Sequence, residues 1–139
     1  MAGYSGTPLP QKLGIKPGVR LALLGAPIGF EEELEPLPGR VAIRKTARGP
    51  LDVVLLFTKQ RSDLERRFAK TAAALEPTGG LWVVWPKKAS GVATDLTENV
   101  VREIGLAAGL VDNKVCAVDE TWSGLRFVIR VADRPQRTK

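Results

Sequence analysis

The sequence predicts a three-layer α/β domain built on a mostly parallel sheet. Residues 51–88, LDVVLLFTKQRSDLERRFAKTAAALEPTGGLWVVWPKK, have the pattern of a strand, a helix and a second strand. The apolar runs 51–57 and 81–85 are short and bounded by glycine and proline, which is typical of strands buried on both faces. Two parallel strands joined by a helix form a right-handed crossover, which places helices against the sheet.

Composition indicates one globular domain in a reducing compartment. The chain has 139 residues, of which 44% are hydrophobic and 26% charged, enough for one core. No apolar run approaches the roughly 20 residues of a membrane helix, and the N-terminus lacks an apolar signal core. The single cysteine, Cys116, cannot form an internal disulfide. We therefore expect a cytoplasmic protein without membrane contact.

The absence of histidine limits the chemistry of the chain. It excludes Ser-His and Cys-His catalysis within this chain. It also makes a zinc or non-haem iron site improbable, so no metal is expected. The sequence identifies no catalytic residues. The formal charge of +6 and pI near 9.8 are compatible with nucleic acid, with anionic nucleotides or with solubility alone.

The chain divides into three parts. Residues 1–18 are rich in proline and glycine and are expected to form an extended N-terminal arm, anchored by Tyr4 or Leu13. Residues 19–131 form the single α/β domain, and residues 132–139 form a polar C-terminal tail.

The first strand, residues 19–24, leads directly into GAPIGF. Gly25 and Gly29 predict a tight turn in which a ligand could approach the backbone. Residues 31–33 are glutamates in the first turn of a short helix, where the macrodipole favours them but where they would repel a phosphate. Residues 41–44 form a short second strand.

The first long helix is predicted to begin at Ser62, because Glu65 three residues later completes a capping box. Pro77 and the pair Gly79-Gly80 are expected to end it. Its core face is formed by apolar residues at helical spacing, namely Leu64, Phe68, Ala72 and Leu75.

A second capping box, Asp95 with Glu98, predicts the next helix, which Gly109 would end. Glu98 and Arg102 are spaced to form a surface ion pair. The predicted core face consists of Leu96, Val100, Ile104 and Ala107.

The chain closes with a hairpin. Strands at residues 115–118 and 125–131 are separated by DETWSG, so the last strand should run antiparallel. Trp82 and Trp85 have opposite parity on one strand and should be core residues on opposite faces. Cys116, among apolar neighbours, is predicted to be a buried thiol.

Four segments together resemble the class I S-adenosylmethionine-dependent methyltransferases: LGIKPGVRLALLGAP, LDVVLLF, LEPTGGLWVVWPKK and VREIGLAAGLV. The resemblance covers the chain from Leu13 to Val131. It implies a Rossmann-like fold with strand order 2-1-3-4-6-5 and the last strand antiparallel. As a whole, the sequence also resembles a small bacterial family of unknown function.

The sequence departs from the methyltransferase pattern at the places that bind the cofactor. The family's first loop has closely spaced glycines, which Ala26, Pro27 and Ile28 interrupt here. The family's second strand ends in an acidic residue that binds the ribose, whereas Arg44 and Lys45 stand here. One strand–helix unit is also missing between Lys45 and Leu51.

Two groups of candidate ligand-binding residues follow the carboxyl ends of the strands, where such sheets bind ligands. Lys87, Lys88 and Ser90 would suit a phosphate or carboxylate, or are simply solvated at a strand end. A second loop, expected to face the first group, carries Asp119, Glu120 and Trp122. Trp122 could stack a base while the two carboxylates bind ribose or amine hydrogens. Alternatively, Trp122 caps the core and both carboxylates are solvated.

These observations favour a domain that binds a small anionic ligand or a protein partner without robust catalysis. The alternative is a reduced methyltransferase that uses S-adenosylmethionine as cofactor. A further alternative is sequence-independent nucleic-acid binding, which predicts affinity that falls steeply with salt.

Overall fold

Six strands form the framework of the computed structural model, which describes residues 7–134. The strands are β1 Arg20–Leu24, β2 Ala42–Arg44, β3 Leu51–Phe57, β4 Leu75–Pro86, β5 Leu110–Ala117 and β6 Trp122–Ile129. The helices are α1 Leu9–Lys12, α2 Phe30–Glu33, α3 Arg61–Ala72 and α4 Glu98–Ala107, with 3₁₀ turns at Lys88–Ser90 and Val131–Asp133. Within residues 7–134, no helix is long and apolar enough to cross a membrane.

The strands make one sheet in the order β2-β1-β3-β4-β6-β5. The first four strands in that order are parallel, and β6 is antiparallel to both β4 and β5. This topology confirms the predicted α/β fold, its strand order and its antiparallel last strand. Residues 45–50 connect β2 to β3 without a helix, as the missing strand–helix unit predicts.

Two apolar clusters fill the two faces of the sheet. Trp85 lies in the cluster beneath α3 and α4, and Trp82 lies in the cluster beneath α1 and α2. The two side chains therefore lie on opposite faces of the sheet, as their opposite parity on β4 predicts. Trp82 is fully buried, and its indole Nε1 donates a hydrogen bond to the carbonyl oxygen of Leu13 at 3.0 Å.

The sequence suggested an extended N-terminal arm, but part of this segment is helical. Leu9–Lys12 form a helical turn, and Leu13 and Ile15 are buried in the cluster that contains Trp82. Leu13 thus anchors the segment as expected, while Tyr4 lies outside the described residues, as does the tail beyond residue 134. The division into arm, domain and tail stays a prediction.

The helix α3 ends earlier than its pattern predicts. It stops at Ala72, and Leu75 already pairs with Leu51 as the first residue of β4, so Pro77 and Gly79 lie inside a strand. A Cβ on Gly79 would lie 2.8 Å from the carbonyl oxygen of Leu51, and the pairing shifts register at this point. Close approach of the two backbones, rather than a helix stop, is the reason for glycine here.

Neither predicted capping box forms. Gln60 is the N-cap of α3 and makes no side-chain cap, while Glu65 pairs with Arg61 at 3.1 Å. The N-cap of α4 is Thr97, whose hydroxyl accepts a hydrogen bond from the Val100 N–H at 3.2 Å. The predicted pair of Glu98 and Arg102 does form, at 2.7 Å, and Gly109 follows the helix at φ 95°.

The buried face of α4 is rotated from the predicted one. Val101, Ile104 and Gly105 are buried, whereas Val100 is half-buried and Ala107 is exposed. A Cβ on Gly105 would lie 2.0 Å from the Phe127 ring. The helix α4 therefore contacts the Phe127 ring at Gly105. The residues around Gly105, rather than Val100 and Ala107, form the core face of the helix.

Candidate functional site

The sheet has its topological switch point at the carboxyl ends of β1 and β3. The chain leaves β1 for β2 on one side, and β3 lies on the other side of β1. In open α/β sheets ligands bind in the crevice outside the strand ends at such a point. The segments at this edge are the loop after β1, residues 45–50, the start of α3, the turn after β4 and the β5–β6 hairpin loop.

The loop after β1 adopts the tight turn that its glycines predict. Gly25 and Gly29 have φ angles of 72° and 90°, in the left-handed region that favours glycine. A Cβ on Gly25 would lie 3.1 Å from the carbonyl oxygen of Phe57, so backbone, not ligand, occupies the space beside it. Open space surrounds Gly29.

The turn after β4 uses several of its polar groups internally. The Ser90 hydroxyl donates a hydrogen bond to the carbonyl oxygen of Lys87 at 2.7 Å and accepts one from the Val92 N–H at 3.2 Å. The Lys87 N–H donates to the carbonyl oxygen of Thr121 at 2.8 Å, which joins this turn to the hairpin loop. Lys88 is exposed. The two predicted groups of ligand-binding residues are therefore neighbours, and their binding role stays a prediction.

The hairpin is longer than predicted, and Trp122 belongs to β6 rather than to the loop. Its ring packs edge-to-face on Phe57 with centroids 5.2 Å apart, and Phe57 packs on Phe30 at 4.8 Å. Asp119 Oδ1 accepts hydrogen bonds from the N–H groups of Thr121 and Trp122, both at 2.8 Å, and so closes the turn. Glu120 is exposed.

Asp119 also faces Glu33 of α2, across the edge of the sheet. Burial raises the pKa of Glu33 to about 7, and the hydrogen bond to Asp119 and the charge of that carboxylate add to the effect. The Glu33 carboxyl therefore keeps its proton up to about pH 7 beside Asp119.

A basic groove, which sequence reasoning missed, opens between residues 45–48 and α3. Its volume is about 620 Å³, and the end of β1 reaches it through Leu24. The cations that line it are Lys45, Arg48, Arg66, Arg67 and Lys70. Within the described residues, no aspartate or glutamate lines this groove.

The fold itself places these cations together. Because Leu64 and Phe68 face the core, the positions between them on α3 turn Arg66 and Arg67 outward. The direct connection from β2 to β3 brings Lys45 and Arg48 over the same helix. The Arg44 guanidinium donates to the carbonyl oxygen of Arg48 at 3.1 Å, which braces this wall.

Two acidic residues outside the groove offset part of its charge. Asp63 pairs with Arg66 at 2.6 Å and with Arg67 at 3.1 Å, and Glu31 pairs with Lys45. Burial opposes ionisation of Asp63, but the hydrogen bond from Thr58 and the nearby Arg67 outweigh it and hold the carboxyl pKa below its usual value.

Arg48 and Lys70 are the cations of the groove that no carboxylate in the described structure offsets. Neither has an ion-pair partner among residues 7–134. The sequence carried one signal for this site, since Arg66, Arg67 and Lys70 share a face of α3. The opposite wall of the groove, formed by residues 45–48, meets α3 only in the tertiary structure. No group of three metal-binding side chains occurs in the described part of the chain.

The strand order and this crevice define a Rossmann-like domain with the architecture of S-adenosylmethionine-dependent methyltransferases. The chain belongs to the DUF3052 family, described as a protein of unknown function, which it matches over residues 29–131. A search of curated proteins gives no match.

Several solved structures share the fold. The magnesium protoporphyrin IX methyltransferase (ChlM) from Synechocystis PCC 6803 with bound SAM is 12% identical, with a TM-score of 0.58 over 82% of this chain and 71% of that one. The pyocyanin biosynthetic protein PhzM is 12% identical, with a TM-score of 0.65 over 88% of this chain and 53% of that one. A putative methyltransferase from Thermoplasma acidophilum is 12% identical, with a TM-score of 0.56 over 94% and 77%. At such identity the likeness concerns the fold alone.

Proposed function

We propose that this protein binds a small anionic ligand in the basic groove and does so without robust catalysis. One observation carries the proposal: five cations line a single groove that runs from the carboxyl end of β1 at Leu24 along α3 to its last turn at Lys70. Asp63 and Glu31 neutralise two of these five charges, which leaves an excess of three. Like charges gathered in one concave site attract an anion and concentrate it there.

The chemistry of the remaining residues supports binding rather than turnover. The chain has no histidine to act as a general base near neutral pH. Burial raises the pKa of the Cys116 thiol, in spite of nearby lysines, so the reactive thiolate is disfavoured. Glu33, with its pKa raised to about 7, remains the candidate for proton transfer, and it lies against Asp119 of the hairpin loop, outside the basic groove.

A reduced methyltransferase is the second candidate function, and the shared fold is the observation that favours it. Its cofactor, S-adenosylmethionine, carries a sulfonium and an ammonium group against one carboxylate. The excess positive charge of the groove disfavours such a molecule. Arg44 and Lys45 at the end of β2 also disfavour this cofactor. The methyltransferases that the sequence resembles have an acidic residue there to bind ribose.

A thermal-shift titration with ATP, NADPH, S-adenosylmethionine and S-adenosylhomocysteine, at low and high salt, tests the proposal. We expect ATP and NADPH to stabilise the protein in a salt-sensitive manner, by about 2.7 kcal/mol at 100 times Kd. A shift with S-adenosylhomocysteine alone would overturn the proposal and favour the methyltransferase instead. No shift with any of the four would refute anion binding and favour a macromolecular partner, either a protein or a nucleic acid.

A further inference from the structure

We infer that the ligand of the basic groove is an oligophosphate, a chain of two or more phosphoryl groups recognised through its phosphates rather than through a base. The inference rests on the proposed function and names the chemical class of its ligand. It follows from the charge of the groove, from the arrangement of its two walls and from the kind of side chain that lines it.

The first argument is charge. The excess of three positive charges in the groove exceeds what a single carboxylate or one phosphate monoester brings. A phosphate monoester carries about −1.5 to −2 near neutral pH, so one such group leaves part of this charge uncompensated. Two or three linked phosphoryl groups bring enough negative charge to balance the groove.

The second argument is the spacing of the cations. Arg66 and Lys70 lie one turn apart on α3, about 6 Å along the helix axis, and Arg67 lies between them. Arg48 stands on the opposite wall, so the positive charge extends along the groove and across it. An extended anion contacts all these groups at once, whereas one phosphoryl group reaches only some of them.

The third argument is side-chain chemistry. A guanidinium binds phosphate oxygens through two parallel N–H bonds, and Arg48 has no ion-pair partner within residues 7–134 to compete for them. The hydroxyl group of Thr46, an exposed residue, adds a donor to the same surface. The groove is therefore rich in the donors that phosphoryl oxygens accept.

The fourth argument separates a small ligand from a nucleic acid. Single-strand binders combine a positive groove with aromatic side chains on which bases stack. No aromatic residue of the described chain lines this groove, and its apolar surface comes from Leu24 and Ala47. The cations also lie within one groove of about 620 Å³ instead of continuing across the rest of the described surface.

Isothermal titration calorimetry with orthophosphate, pyrophosphate, tripolyphosphate and citrate tests the inference. Citrate serves as a polyanion of similar charge without phosphorus. We expect pyrophosphate and tripolyphosphate to bind at least about tenfold more tightly than orthophosphate and citrate, because they engage one or more further charge-assisted hydrogen bonds.

Four variants locate the binding. Arg48→Ala and Lys70→Ala should each weaken tripolyphosphate about tenfold. Lys16→Ala, which removes an exposed lysine without an ion pair from another part of the described surface, should leave the affinity unchanged. Arg48→Lys keeps the charge but removes the planar fork, so it should restore only part of the affinity.

The outcomes separate this inference from the proposed function. If citrate or orthophosphate binds as tightly as tripolyphosphate, the ligand class is wrong while anion binding stands. Equal losses in Lys16→Ala and Lys70→Ala would show that net charge, not the groove, attracts the anion. If none of the four anions binds, both proposals are wrong. A single-stranded oligonucleotide that displaces tripolyphosphate at lower concentration would replace the oligophosphate by a nucleic acid.

Discussion

Asp95 Oδ1 accepts a hydrogen bond at 2.7 Å from the backbone N–H of Arg61, which lies 34 residues earlier in the chain. Asp95 thus satisfies one of the free N–H groups at the start of α3. The Thr94 hydroxyl, beside it, donates to the carbonyl oxygen of Lys59 at 2.6 Å. Together these bonds fasten the segment before α4 to the first turn of α3, next to the ligand-binding edge.

Replacing Asp95 with alanine should therefore weaken α3 although the substitution lies outside that helix. Loss of a helix cap typically costs about 1 kcal/mol of unfolding free energy. Urea denaturation measures this change, and Asp95→Asn, which keeps an acceptor oxygen, should recover most of it. The matched control is Glu103→Ala, an exposed position, and equal effects of the two alanine variants would disprove the capping role.

Gly105→Ala should destabilise the fold even though alanine is the better helix former. The added Cβ would lie 2.0 Å from the Phe127 ring, a distance that packing cannot accept without movement. Overpacking of this kind costs about 1–3 kcal/mol, more than the gain of up to about 1 kcal/mol from helix propensity. Urea denaturation compares it with Gly39→Ala, where open space surrounds the new Cβ. A stabilised Gly105→Ala protein would contradict the close packing of α4 on Phe127.

The protein should lose stability between about pH 4.5 and pH 7 through Glu33. Its pKa is raised from 4.5 to about 7 in the folded state, so the folded protein binds a proton that the unfolded chain releases. The stabilisation is complete below pH 4.5 and disappears as the pH rises through 7. Melting temperatures across this range should fall less steeply for Glu33→Gln, which stays neutral. The same slope in both proteins would exclude Glu33 as the source.

Sequence patterns predict the elements of this fold well because the burial of a strand is encoded locally. The run from Leu51 to Phe57 is apolar almost throughout, and the crossover it begins predicts a layered α/β domain, whereas the resemblance to the methyltransferases implied the strand order. The caps could not be predicted, since Asp95 bonds to a helix distant in sequence. The face of α4 depends on Phe127, which no pattern within the helix reveals. The basic groove was missed for the same reason, because Arg48 meets α3 only through the tertiary fold.

Two places compete as the anion site, namely the turn after β4 and the basic groove along α3, and paired substitutions distinguish them. Lys87→Ala with Lys88→Ala removes the cations predicted from sequence, while Arg48→Ala with Lys70→Ala removes the unpaired cations of the basic groove. We expect the second pair to weaken tripolyphosphate by well over tenfold, because two charge-assisted contacts are lost, and the first pair to change it less than about threefold. Melting temperatures should stay nearly constant in both, since none of these four side chains is buried. Calorimetric titration measures the affinities, and the opposite ranking would move the site to the turn after β4.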